Sequence, residues 1–183
     1  HNLLSEPSFA LLASHTVSAQ GLQELETLAQ SLMAQGLTPI VSATQPGYQR
    51  ALLCAVRQNA PYILALDRGL LATFGEDLRK EPLKQARIWQ AEFNPDRALA
   101  LSPFRPRDGW LASSSRYRDA LIAYLASAVI LVEARPDGYI VQLCKELLRR
   151  GRKVYVMTQR IETLPGNQQA LEAGGTPFGA KSL

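Results

Sequence analysis

Residues 113–146 read SSSRYRDALIAYLASAVILVEARPDGYIVQLCKE. Within them, 128–134 (AVILVEA) is a short run apolar on both faces, which predicts a strand in the middle of a parallel sheet. The segment before it carries Tyr117, Ala120, Leu121, Tyr124 and Leu125 at helical spacing, and the segment after it repeats the pattern with Ile140, Leu143, Cys144, Leu147 and Leu148. Helix, buried strand, turn and helix make half of a nucleotide-binding type of α/β unit. The loops of that unit are where chemistry is expected.

Working outward, three further strand–helix units precede residue 67. Residues 8–14, 38–43 and 62–67 read as strands, and 18–35 and 48–59 as helices, with Leu22, Leu25, Ala29 and Leu32 facing inward from the first and Ala51, Leu52, Ala55 and Val56 from the second. Gly36 is the expected helix stop. Such repetition predicts an α/β fold, a Rossmann-like doubly wound and mostly parallel sheet with helices on both faces. From 68 to 93 the pattern loosens, and irregular helices are expected near 76–79 and 83–92, broken at Pro82. Residues 97–102 and 153–158 are further strands, 166–173 a short helix with Asn167 as its N-cap, and the Gly-rich tail from 174 ends the domain.

Bulk composition narrows the class. A chain of 183 residues with 46% hydrophobic and 20% charged residues suits one α/β domain spanning 1–183. The net charge of +4 permits a polyanionic partner without demanding one. Cys54 and Cys144 fall at apolar helix positions and read as buried thiols of a reducing compartment, and two histidines are too few for a metal site. No apolar run reaches the roughly 18 residues of a membrane span, so a cytoplasmic protein without membrane attachment is expected.

Four places carry candidate binding residues. The turn Ser14-His15-Thr16-Val17-Ser18 ends a strand and opens a helix, where hydroxyls and free N–H groups can hold phosphate; on pattern alone Ser18 as a simple helix cap is the favoured explanation. Arg116 and Arg118 follow a run of serines; on a helix they diverge by roughly 200°, so one faces the cleft and the other solvent, whereas on an entry loop both reach a phosphate. Gly138, in Glu133-Ala134-Arg135-Pro136-Asp137-Gly138, lets the backbone approach a ligand, although Pro-Asp-Gly is also ordinary turn chemistry. Arg105, Arg107 and Trp110 interleave basic and aromatic groups, as a single-strand site does, and as solubilising rim loops also do. No nucleophile with its base, carboxylate pair or metal shell is visible, so neither a catalytic residue nor a cofactor is expected.

With these residues in view, the chain resembles the DNA-processing protein A (DprA/Smf) family of the SLOG-type Rossmann superfamily, from about Phe9 to Ala180. ALLASH (10–15) stands for the family's apolar run and Gly-Ser-Arg, with Ala13 for the glycine, Ser14 kept and His15 for the arginine. SATQPGYQRAL (42–52) keeps Ser42 of a Ser-Gly-Leu-Ala-x-Gly-Ile-Asp loop, and ALSPFRPRDGW (100–110) resembles the Ser-Glu-Phe-Pro-Pro-Gly segment. Arg116 and Arg118 match the two arginines of Arg-Asn-Arg, with Tyr117 for the asparagine, and GNQQALEAGGTPFGA (166–180) matches the closing Gly-x-Asn segment. The resemblance implies single-stranded DNA binding in a basic pocket at the carboxyl edge of the sheet, in DNA processing, recombination and natural transformation (competence). Its implied partners are single-stranded DNA, a RecA-type recombinase and a second copy of the chain as a homodimer. It places Ser14, His15, Arg116, Arg118, Gly138, Gly166 and Asn167 in the pocket. Flanking small helical domains, common in the family, are not seen in this chain.

Two other readings belong to the same superfamily. One is a nucleotide-sensing or scaffold domain. The other is the LOG group of nucleoside monophosphate hydrolases, with its Pro-Gly-Gly-x-Gly-Thr-x-x-Glu signature. Alignment on Pro136 puts Cys144 at the glutamate and Val141 at the threonine, which argues against hydrolysis.

Overall fold

In the computed structural model, residues 2–77, 79–84 and 92–179 are described. The run at the centre of the sequence forms β5 (Ala128–Glu133), with a parallel neighbour on each side. Among the described residues it belongs to a sheet with β1 (Ser8–Ala13), β2 (Thr38–Val41), β3 (Tyr62–Ala65), β4 (Ala98–Leu101), β6 (Val154–Met157) and β7 (Thr176–Phe178). The spatial order is β4-β3-β2-β1-β5-β6-β7, and every pairing is parallel. Chain direction across the sheet reverses between β1 and β5, as in doubly wound folds.

Alternation along β1 explains the two layers. Phe9, Leu11 and Ala13 enter one apolar cluster with Leu25, Leu28 and Leu52, while Ala10 and Leu12 enter another with Ile122, Val141 and Leu147. The first cluster is covered by α1 (Ala19–Ala34), α2 (Pro46–Gln58) and the short α3 (Leu70–Phe74). The second is covered by α4 (Ser114–Leu125), α5 (Tyr139–Arg149) and α6 (Pro165–Glu172). Both cysteines are buried, as their apolar positions predict. No described helix is long and apolar enough to cross a membrane.

Several elements differ from expectation. The Gly-rich tail holds a strand that the sequence reading did not include: Thr176–Phe178 pairs with β6 as an edge strand, Pro177 being tolerable there because an edge strand has a free side. The short helix in the irregular segment lies at Leu70–Phe74 and stops at Gly75 (φ +69°), upstream of the expected 76–79. Leu78 and residues 85–91, on which much of the expected 76–79 and 83–92 helices falls, lie outside the described residues. α4 buries Arg118, Asp119, Ile122 and Ala123 most deeply; of the predicted face, Ala120, Leu121 and Tyr124 pack partly buried against the core, while Tyr117 (61%) and Leu125 are exposed. Asn167 is not an N-cap; Leu164 holds that position, Pro165 begins α6, and the Asn167 side chain points into the protein.

Candidate nucleic-acid interface

Because all the strands run one way, the loops after β1 to β6 leave the same edge of the sheet. Helices run antiparallel to the strands they follow, so the N-termini of α1, α2, α4, α5 and α6 lie there too. Topology therefore gathers every candidate from the sequence onto one carboxyl edge. Side-chain direction then separates those that face solvent from those that hold the edge together.

At the switch point between β1 and β5 the N-terminus of α1 already holds an anion, the chain's own Glu133. Its Oε1 accepts from the Ser18 N–H at 2.7 Å and its Oε2 from the Ser18 hydroxyl at 2.6 Å. Ser18 Oγ in turn accepts from the Gly21 N–H at 3.0 Å. Arg160 holds the carboxylate from the other side at 3.3 Å while forking onto Glu24 at 2.7 and 2.9 Å. The absence of a Cβ at Gly21 is required here, since one would collide with Glu133 Oε2. The positive end of the helix is thus satisfied internally. Ser14 is buried and staples the two strands: its N–H donates to the Glu133 carbonyl at 2.8 Å and its Oγ accepts from the Arg135 N–H at 2.8 Å. His15, next in the turn, is exposed.

The Gly166-Asn167 pair is equally internal. Fully buried Asn167 accepts from the Ala134 N–H at 3.0 Å and donates to the Val132 and Met157 carbonyls at 2.9 and 3.1 Å, joining β5, β6 and α6. Gly166 packs directly on the Ala134 carbonyl, leaving no space for a side chain. Arg118 is also enclosed. Its guanidinium donates to Asp119 Oδ1 at 2.8 and 3.1 Å and to Thr44 Oγ1 at 2.5 Å, lies 3.7 Å from Asp67 Oδ2, and stacks 5.3 Å from the Tyr48 ring centroid. Ser42 is buried beside Thr44 at 3.2 Å. Burial raises the Asp119 pKa against the opposing pull of Arg118, and raises that of Tyr48 well above its usual range. The sequence expectation that one of the two arginines faces inward holds, but what it meets there is protein.

Facing outward is a different set. Arg116 is exposed and lies 5.4 Å over the Tyr139 ring, whose hydroxyl donates to the Arg116 carbonyl at 2.8 Å. Gly138 is the N-cap residue of α5, a helix start with no side-chain cap and no acid in its first turn. Arg135 is exposed just before it. On the other flank, the 102–113 loop presents Arg105, Arg107 and Trp110, the last 51% exposed. Its backbone is fastened to α3 by Gly69 N–H to Asp108 O at 2.9 Å and Ala72 N–H to Pro106 O at 3.1 Å. Phe104 and Tyr117 meet edge to face at 6.1 Å and bridge loop and helix. Arg105, Arg107, Arg116 and Arg135 have no acidic partner within ion-pair distance among the described residues, whereas Arg50, Arg57, Arg68, Arg118, Arg149, Arg150 and Arg160 all do.

Sequence reasoning missed Asp67 and Tyr139, and it included Glu133 and Arg135 in a candidate turn without giving either a role of its own. Glu133 and Ser18 lie 115 residues apart, so no local pattern could join them. Tyr139 had a signal, an aromatic at the first position after Gly138. Cys144, at the glutamate position of the hydrolase signature, is fully buried on α5, and desolvation pushes its thiol up to about 12.

No family model matches the chain, and no curated protein matches it by sequence. Its structure is similar to that of DNA processing protein A from Streptococcus pneumoniae, with a TM-score of 0.75 and 20% identity over 97% of this chain. The chain spans 60% of the length of that protein. It is also similar to DNA processing protein A from Helicobacter pylori, a structure described for its single-stranded DNA binding mode, with a TM-score of 0.75, 18% identity, and coverage of 97% of this chain and 77% of that one. The fold of this chain is that of DNA processing protein A.

Proposed function

We propose that the carboxyl edge of the sheet binds single-stranded DNA without catalysing a reaction on it. One observation carries the reading: four exposed arginines without acidic partners stand beside exposed aromatic rings on one edge. Guanidinium groups take phosphates through bidentate hydrogen bonds, and aromatic faces stack on bases of any sequence. Arg116 and Arg135, with the uncapped α5 start at Gly138 between them, contact the backbone near the switch point, and His15 adds a hydrogen-bonding ring beside them. Arg105, Arg107 and Trp110 continue the track along the rim loop. Ser14, Ser42, Arg118, Gly166 and Asn167 act through the scaffold that positions these groups.

The single-strand binding mode described for the Helicobacter pylori protein supports this reading. In the setting the resemblance implies, the bound strand passes to a RecA-type recombinase during uptake of DNA, with the chain acting as a homodimer. The direct test is titration of labelled oligo-dT at low salt into the wild type and an Arg116→Ala/Arg135→Ala variant. The wild type binds, and the variant binds more weakly to every sequence. An absence of binding by the wild type at low salt overturns the proposal.

A further inference from the structure

A cavity of about 400 Å³ opens at the carboxyl ends of β2 and β3, on the far side of β1 from β5. That size lies within the range of small-molecule sites, about 300–1,000 Å³. The loop after β2, the end of β3 and α3 wall it, and Thr44, Gln49, Asp67, Arg68, Thr73 and Lys84 supply its polar lining. Asp67 is only 5% exposed. Its Oδ2 accepts from Thr44 Oγ1 at 3.1 Å and its Oδ1 from Arg68 Nε at 3.1 Å, with Arg118 behind it. A carboxylate offers about four acceptor sites, so these two hydrogen bonds leave capacity toward the cavity.

The rest of the lining is of opposite character. Lys84 is exposed, and the Arg68 side chain is 38% exposed. The 42–44 loop contributes one wall, and the residue that follows it, Gln45, has a φ of 72° and ψ of 138°, a costly backbone conformation for a residue with a side chain. Strain of that kind persists where surrounding structure holds it, and it clusters at ligand sites. A buried ionic group beside a cavity is a further stability cost that a hydrophobic lining would avoid.

An acceptor floor requires hydroxyl donors, and a cationic mouth requires an anion. We propose that this cavity is a separate ligand site for the ribose-phosphate portion of a small ribonucleotide, with the sugar hydroxyls on Asp67 and the phosphate on Lys84 and Arg68. It does not depend on strand binding at the rim.

The test is calorimetric titration of the full chain with AMP, ribose 5-phosphate, 2′-deoxy-AMP and adenosine. AMP and ribose 5-phosphate bind, and 2′-deoxy-AMP and adenosine bind about tenfold more weakly or worse, each having lost a charge-assisted contact. Equal affinity for AMP and ribose 5-phosphate identifies a sugar phosphate as the ligand, and tighter AMP binding identifies a nucleotide. Lys84→Ala weakens AMP and leaves adenosine unchanged. Ala72→Leu, on the exposed α3 wall, fills the cavity and abolishes AMP binding. Both variants avoid the Asp67–Arg118 cluster and retain the wild-type unfolding midpoint, and Lys84→Ala retains the wild-type oligo-dT affinity. No heat with AMP or ribose 5-phosphate at millimolar concentration overturns the proposal. So does AMP binding unchanged in both variants, or loss of oligo-dT binding in Lys84→Ala, which would make the cavity part of the strand site.

Discussion

Arg116 and Arg118 are two residues apart and have opposite fates. Arg118 is held at 1% side-chain exposure by Asp119, Thr44 and Asp67, so deleting its guanidinium strands the buried Asp119 carboxylate and removes the cation behind Asp67. Breaking a buried ion pair costs about 3–5 kcal/mol. Arg118→Ala should therefore lower stability by about that amount in urea unfolding, whereas Arg116→Ala changes stability by less than about 0.5 kcal/mol. An equal loss in both variants would contradict the burial difference. The periodicity argument was sufficient to say that the two arginines diverge, yet it could not say which was enclosed, because Asp67 and Thr44 come from other loops. The buried thiols give a pH prediction at the same scale. Desolvation, the largest effect at both sites, pushes Cys54 up to about 11 and Cys144 up to about 12. In the unfolded chain a thiol loses its proton near pH 8.5, while the folded chain still holds it. This contribution is fully present below about pH 8.5 and is lost as pH rises toward the folded values, at up to about 1.4 kcal/mol per pH unit for each thiol. Cys144→Ala should flatten the decline between about pH 9 and 11 relative to wild type, as measured by urea unfolding at each pH.

At the scale of elements, helix and strand positions were readable wherever apolar spacing alone decides them. α1, α2 and α5 bury the faces their periodicity predicts, because each packs mainly through aliphatic side chains. α4 does so only in part: its most buried face includes Arg118 and Asp119, an ionic pair that pattern counting assigns to solvent, and of the predicted stripe Tyr117 and Leu125 are left exposed. β7 was missed for a related reason. Three residues between glycines carry too little alternation to register, and pairing with β6 makes them a strand. The rim loop was legible as an ordered loop, but its anchor on α3 was not. Gly69 makes that anchor possible, because its Cα lies against the Arg105 and Pro106 carbonyls with no space for a methyl group. Gly69→Ala should detach the loop from α3. The expected result is faster amide exchange at Gly69 and Ala72, whose N–H groups donate to the loop, and weaker oligo-dT binding through displaced Arg105, Arg107 and Trp110. Unchanged exchange at Ala72 would show that the loop is held by other contacts.

For the whole molecule, the parallel sheet collects all loops on one edge, and the internal ion pairs decide which of their charges remain available. Glu133 neutralises the α1 start, Asp67 and Asp119 absorb Arg118, and Glu24 absorbs Arg160. Among the described residues, Arg105, Arg107, Arg116 and Arg135 are left without acidic partners at the rim, a local arrangement that the modest net charge of +4 does not reveal. The resemblance quoted its motifs correctly as a fold signature, since Ser14, Gly166 and Asn167 tie strands and helices together. The rim charges belong to other positions, and that division has a measurable consequence. Each phosphate neutralised on a single strand lowers the slope of log affinity against log salt by about 0.7. If Arg105, Arg107, Arg116 and Arg135 each hold one phosphate, the slope is about −2.8. Arg105→Ala/Arg107→Ala should reduce its magnitude to about 1.4, and Arg116→Ala/Arg135→Ala should do the same. If the rim-loop pair alone left the slope intact, the strand would be confined to the α4–α5 side of the edge, over Arg116, Tyr139 and Arg135.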